Sequence, residues 1–369
     1  MSRTSKSPAA KTSRETRLAT FVHASDVHFG DLDRDTGSAT LDAKAEDWWR
    51  SHRVFDGFLG HSYDALVHLA DFFARLRDEE NARLIVTGDL TTCGAPSQFD
   101  LARDYFEGHL EIDPGNPVGL QEKTARSLTI PGNHDHWPGK RVIWGQPSAG
   151  LQQHFPTLPI AVERISLGRH RELVFAGIDS DADVRPTFPG PCRLFARGKF
   201  VSQLRTLEAT LGPPVASEVR VLLLHHSRSQ RSYATGMVRG SRRALDTLVA
   251  RRDVCVLLSG HVHVPRGERF TVSDRDGGAH EVMEARAGTT LQRDELPLDW
   301  VAAGSSKDDE RDRLPPNTLL VHRLVEVDAR IEWRTHCYRR SRTRGFVDEG
   351  PLDALAPLVV WPRPWATPA

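Results

Sequence analysis

Five apolar segments of this chain each run into acidic, amide or imidazole side chains, and that recurrence limits the folds open to it. Leu18 to Ala24 leads into Ser25-Asp26-Val27-His28, and Arg83 to Thr87 into Gly88-Asp89. Ser127 to Ile130 leads into Pro131-Gly132-Asn133-His134-Asp135, Val219 to Leu224 into His225-His226, and Val254 to Leu258 into Gly260-His261-Val262-His263. Short apolar runs bounded by turn residues read as buried strands. A sixth run, Leu173 to Ile178, also ends in polar residues. Helical patterns over Asp42 to Glu80, Ser97 to Glu107, Lys199 to Thr210 and Arg242 to Arg251 separate these strands. Strands alternating with helices predict an α/β chain whose sheet is largely buried.

Towards the C-terminus the pattern changes. Phe270 to Val272, Glu281 to Ala285, Asn317 to Val325 and Arg330 to Arg334 read as strands joined by turns, which predicts a second, mainly antiparallel sheet. One domain is expected over residues 18–345, after a flexible tail at 1–17 that lacks the apolar stretch of a secretory signal. Residues 346–369 read as a Pro-rich tail, flexible or packed on the domain. Residues 31–63 form an insertion holding Trp48, Trp49, Phe55, Phe58 and His61, placed either to cap a site or to join the core.

Composition argues against several classes, without excluding nucleic acid. Lys plus Arg equals Asp plus Glu at 49 each, so no global basic field draws the chain onto nucleic acid. Cys93, Cys192, Cys255 and Cys337 lie far apart without a C-x-x-C pair, which predicts reduced thiols and a cytoplasmic protein. No apolar run is long enough to span a bilayer.

Carboxylate, amide and imidazole donors without thiolates suit Mn, Fe, Zn, Co or Ni rather than a structural zinc. In Asp26-x-His28 and His261-x-His263, alternate residues of an extended segment point the same way and can converge on one ion. Gly132 and Gly260 allow close backbone approach. Each cluster also has a plainer reading: Asp26 and Asp89 as helix caps, Asn133 as a turn residue, one of His225 and His226 as a core histidine.

The ordered set D-x-H, G-D, G-N-H-D, H and G-H-x-H resembles the calcineurin-like metallophosphoesterase superfamily, most of all its bacterial cyclic-nucleotide-phosphodiesterase-type members. The resemblance implies an α/β fold (α+β by some schemes), a layered β-sandwich of mixed sheets flanked by helices. It implies two divalent metal ions, Mn or Fe favoured and Zn, Co or Ni as alternatives. One would be held by Asp26, His28, Asp89 and His263, the other by Asp89, Asn133, His225 and His261. It places His134 off the metals, to hydrogen-bond the phosphate or protonate the leaving oxygen, and Asp135 next to it is expected to orient that imidazole. The chain departs from the pattern in reading His225-His226-Ser227 where relatives carry H-x-P or H-H-P, which leaves His226 as the fallback ligand. Arg228, Arg231 and Arg239 would bind phosphate or form a solvated loop.

Hydrolysis of a phosphodiester of a nucleotide or other small molecule is the expectation. A monoesterase, a nuclease of the same superfamily and a non-catalytic metal-binding scaffold are the alternatives. No membrane partner is expected.

Overall fold

The computed structural model describes residues 15–32, 39–40, 61–122, 128–137, 149–154, 160–184, 197–232, 236–273, 279–292, 317–341 and 343–362. The first sheet is built on β1 (Glu15–Ala24), β2 (Arg83–Thr87) and β3 (Leu128–Ile130), which run parallel. On the other side of β1 the sheet continues antiparallel through later strands of the chain. These are β10 (Thr318–Val327), β11 (Arg330–Ser341) and β12 (Gly345–Pro351), with β13 (Leu358–Trp361) also on β11.

The strands of the second sheet are β4 (Ile160–Gly168), β5 (Arg171–Ile178), β6 (Glu218–Leu223), β7 (Val254–Ser259), β8 (Arg266–Ser273) and β9 (Ala279–Arg286). They lie in the order β8–β9–β7–β6–β5–β4. β5, β6, β7 and β9 are parallel, and β4 and β8 close the edges antiparallel.

Strand alternation sorts the side chains into layers. Phe21 and Ile85 of the first sheet meet Phe175, Val221, Leu223, Val256 and Leu258 of the second in a shared core. Val22, Leu84 and Val86 face the other way, onto α1 (Tyr63–Glu80) and α2 (Pro96–Glu107). Val174, Leu222 and Leu257 likewise face α3 (Val201–Leu211) and α4 (Arg239–Arg251). A strand buried on both faces reads as an unbroken apolar run, which is why these strands were visible in the sequence. The result is the layered sandwich of mixed sheets flanked by helices that the resemblance implied.

Three expectations change. The late strands do not make a sheet of their own: β8 and β9 extend the second sheet, whereas β10 and β11 pair back onto β1. Periodicity reports a strand but not its partner, so the split was invisible. The segment from Phe346, expected as a tail either flexible or packed on the domain, packs on it as further strands, with Phe346, Leu358 and Val360 buried. At the other end β1 starts at Glu15, inside the expected N-terminal tail.

Of the insertion at 31–63, Trp48, Trp49, Phe55 and Phe58 lie outside the described residues. His61 is described and is core: it is fully buried, its ring is 5.0 Å from that of Phe29, and its Nδ1 accepts the Gly30 N–H. Ser62 then caps α1, its Oγ accepting the Ala65 N–H, and Asn81 ends the helix in the left-handed conformation.

Candidate metal centre

The parallel strands set the site. β1, β2 and β3 of one sheet and β6 and β7 of the other release their chains at one end of the sandwich, so that Asp26, Asp89, Asn133, His225 and His261 emerge together. Asp26, His28, Asp89, His261 and His263 all take positive φ, between 51° and 77°. Non-glycine residues adopt that conformation at a cost of about 1–3 kcal/mol each, and such residues cluster at functional sites.

Hydrogen bonds hold the loops in place. Asp26 accepts the His261 N–H at 3.0 Å through Oδ2, and its carbonyl accepts the Thr289 hydroxyl at 2.9 Å. Asp89 accepts the His134 N–H at 2.8 Å through Oδ1. A Cβ on Gly132 would collide with the Asp89 carboxylate, and one on Gly260 with the Ser25 hydroxyl, so both positions require glycine.

Two groups of donor atoms result, each within 4.8 Å of one another: Asp26, His28 and His263, and Asp89, His225 and His261. A third grouping, His28 with Asp89 and His134, ties the first two together through Asp89. All seven residues expected to bind metal are buried.

Ring nitrogens face one another across the cluster, an arrangement that a shared cation would suit. His28 Nε2 is 3.4 Å from His263 Nε2, and His225 Nε2 is 3.2 Å from His261 Nδ1 and 3.1 Å from the Asn133 amide oxygen. Burial pushes His28 down to about 3 and His261 well below the usual imidazole range, leaving neutral rings with lone pairs to offer. At His225 burial works the same way, but the Asp89 and Asp26 carboxylates outweigh it and lift the imidazole to about 10. Positive charge therefore belongs between these groups, on a proton or on metal. The buried Asp26 Oδ1, 3.3 Å from His263 Nε2 but without a well-formed hydrogen bond, agrees. Hard oxygen and imidazole donors around a shared carboxylate fit a pair of divalent cations.

The choice between adjacent histidines is legible here. His225 donates from Nδ1 to the Thr87 carbonyl at 2.6 Å, which turns Nε2 into the cluster, as metal-binding histidines are commonly held. His226 instead pairs its Nδ1 with the Ser180 hydroxyl at 2.8 Å.

Outside the two groups, His134 donates from Nδ1 to the Thr92 carbonyl at 2.8 Å and stacks on Trp137 with ring centroids 3.9 Å apart. Its Nε2 is 3.9 Å from Asp89 Oδ2.

Asp135 does not orient the His134 ring, contrary to expectation. It accepts the N–H groups of Leu90, Thr91 and Gly132 and the Thr91 hydroxyl, and so clamps the two ligand loops together. Burial and the Asp89 charge push this carboxyl up to about 6 against the pull of those donors. Replacing Asp135 by alanine leaves buried N–H groups unmatched and is expected to cost about 3 kcal/mol of stability. Urea denaturation tests this; an unchanged midpoint would refute the clamp.

Arg228, expected either to bind phosphate or to belong to a solvated loop, is committed elsewhere: its Nε meets Asp246 at 2.5 Å and its guanidinium lies 3.6 Å from the Phe270 ring centroid. Arg231 and Arg239 are exposed.

The family model for calcineurin-like phosphoesterases matches residues 19–265, the span that carries every ligand loop described above. The chain belongs to the calcineurin-like phosphoesterase family. Membership implies a metal-dependent hydrolase with a dinuclear divalent metal centre, for which the His and Asp groups supply the donors. No curated protein matches the sequence. Among solved structures, the chain is similar to one titled "GAP50 the anchor in the inner membrane complex of Plasmodium", at 12% identity and a TM-score of 0.47 over 91% of this chain and 89% of that one. A likeness of that depth says nothing about activity. No described helix of the calcineurin-like domain is long and apolar enough to cross a membrane.

Sequence reasoning missed three contributors: the Thr87 and Thr92 carbonyls, which aim His225 and His134, and the Trp137 ring. The carbonyls leave no trace in side-chain identity. The polar end of β5 was legible, although the sequence assigned it no role: Asp179-Ser180-Asp181 sits at a strand end like every ligand cluster.

Proposed function

We propose that this calcineurin-like protein is a dinuclear-metal-dependent phosphodiesterase acting on a nucleotide or other small-molecule diester in the cytoplasm. Asp26, His28, Asp89 and His263 hold one ion in this reading, and Asp89, Asn133, His225 and His261 the other, with Mn or Fe preferred. Such a pair supplies Lewis-acid polarisation of the phosphoryl group and acidifies water for in-line attack.

The observation that carries the reading is the setting of His134. Its Nδ1–H is engaged by Thr92, so the remaining nitrogen, Nε2, points at the space bordering Asp89 and His28. Its side chain is 10% exposed where those of His28 and His225 are fully covered, so a substrate can reach it. Protonated at Nε2, this imidazole can donate to the departing alkoxide.

A diester is favoured over a monoester because it brings less negative charge. A dianionic monoester calls for guanidinium partners, and Arg228 is already engaged with Asp246 and Phe270. The three described cysteines form no disulfide, which is in keeping with a reducing compartment.

The test is hydrolysis of bis(p-nitrophenyl) phosphate and p-nitrophenyl phosphate after chelation and after Mn restoration. The expected outcome is activity that vanishes with the metal, returns with it, and prefers the diester by at least about tenfold in kcat/KM. Preference for the monoester would make the protein a phosphomonoesterase. Metal binding without turnover of either ester would point to a scaffold.

A further inference from the structure

A second polar cluster borders the metal centre and takes no part in it. β5, β6 and β7 are parallel neighbours, so Asp179-Ser180-Asp181 leaves β5 at the sheet end where His225 leaves β6 and His261 leaves β7. Ser180 hydrogen-bonds the His226 ring, which lies 4.2 Å from that of His261. From the other sheet comes His136, two residues past His134, whose Nε2 donates to Asp179 at 3.0 Å. Asp179 also accepts the Asp181 N–H at 2.9 Å.

Asp181 is the anomaly. It is 4% exposed, and neither of its carboxylate oxygens has a hydrogen-bond partner. A buried carboxylate without donors is strongly disfavoured unless something else pairs with it. Its leading electrostatic neighbours are His226, His136, Asp179 and His225, with neither lysine nor arginine among them. Burial pushes its carboxyl above the usual range even though His226 and His136 act to lower it. A third metal does not explain it: among the described residues, no group of three His, Cys, Asp or Glu donors close enough to hold an ion includes Asp181.

We propose that Asp181, backed by the Asp179–His136 pair, forms a subsite for a protonated amine carried on the alcohol portion of the phosphoester. The proposal rests on the phosphoesterase reading and narrows its substrate class. An ammonium group offers up to three N–H donors and no acceptor, which matches two unpaired carboxylate oxygens. Charge-assisted bonds of this kind are roughly twice as strong as those from a neutral hydroxyl, so a diol is the weaker occupant. The neighbouring Asp179 adds negative charge to the same end, and both carboxylates would repel phosphate. The amine therefore lies on the second-sheet side of the metals, with phosphorus between them.

Two matched substrates test this on the Mn-loaded protein: 2-aminoethyl p-nitrophenyl phosphate and ethyl p-nitrophenyl phosphate. The wild type is expected to prefer the aminoethyl ester by about tenfold or more in kcat/KM, as one charge-assisted contact allows. In Asp181→Asn and Asp181→Ser the ratio should fall to near one. A wild-type ratio near one, or a ratio that neither substitution changes, overturns the subsite. A calorimetric titration of the ethyl monoester of 2-aminoethylphosphonate against that of propylphosphonate gives a readout independent of turnover. Wild type should bind the amine about tenfold more tightly, and Asp181→Asn should bind the two alike. If no ester is hydrolysed, the phosphoesterase reading fails, while the titration still decides the subsite. Removing an unpaired buried charge should also raise the thermal midpoint of Asp181→Asn by about 2 °C; a fall would mark Asp181 as structural and overturn the proposal.

Discussion

Asp89→Asn is expected to lower kcat roughly a thousandfold and to reduce bound Mn from two ions per chain to one or fewer. The Asp89 carboxylate contributes to two of the three donor groups, with Oδ2 3.3 Å from His225 Nε2 and 3.9 Å from both His28 Nε2 and His134 Nε2. Burial alone would raise this carboxyl, but the charge and hydrogen bond of His225 beside it outweigh burial and hold it well below the usual carboxylate range. Asparagine keeps the oxygen that accepts the His134 N–H but removes the negative charge and one donor oxygen. The loop should therefore survive while the shared ligand is lost. Metal analysis by inductively coupled plasma mass spectrometry, with kinetics on the same sample, checks both halves. Activity within tenfold of wild type would remove Asp89 from the centre.

His134→Ala should leave metal content intact and lower kcat by about 10²- to 10⁴-fold, the range for loss of a general acid. The size of the loss should depend on the leaving group. p-Nitrophenoxide departs with little help, so its esters sit at the small end, and alkyl esters, which expel a far more basic alkoxide, at the large end. Equal losses on both would mean that the imidazole binds phosphate without transferring a proton. Its preparation is visible in the fold: Thr92 fixes which nitrogen carries the resting proton, and Trp137 holds the ring plane. A smaller loss is expected from His134→Asn than from His134→Ala if hydrogen bonding accounts for part of the effect.

Much of the centre was legible because its chemistry is written in side chains. Asp26, His28, Asp89, Asn133, His225, His261 and His263 follow apolar runs, and a buried parallel strand announces itself as such a run whatever its partners. The pairing of β10 with β1 was not legible, since Thr318–Val327 would fill an edge of either sheet and only the tertiary register decides. His225 could not be told from His226 for a related reason: the choice is made by a main-chain oxygen, at Thr87, against a serine hydroxyl, at Ser180. Asp135 was misread because proximity in sequence to His134 suggested contact with its ring, whereas the short 3-10 turn His134–His136 sends the two side chains apart. The role of Arg228 was left open between phosphate and solvent because its partners Asp246 and Phe270 lie 18 and 42 residues away along the chain.

The left-handed backbone at Asp26, His28, Asp89, His261 and His263 bears on how such a protein can lose its activity. Glycine adopts this conformation without penalty, so on backbone energy alone, glycine at any of the five would relieve strain of about 1 kcal/mol. At Asp26 and Asp89 that gain is offset by loss of the carboxylates that accept the His261 and His134 N–H groups, whereas at His28, His261 and His263 glycine would strip the site of a metal ligand while easing the backbone. Selection for stability by itself would thus erode the centre, and only a demand on turnover or metal binding opposes it. Decay into a sturdy, inert relative is a short step for this architecture.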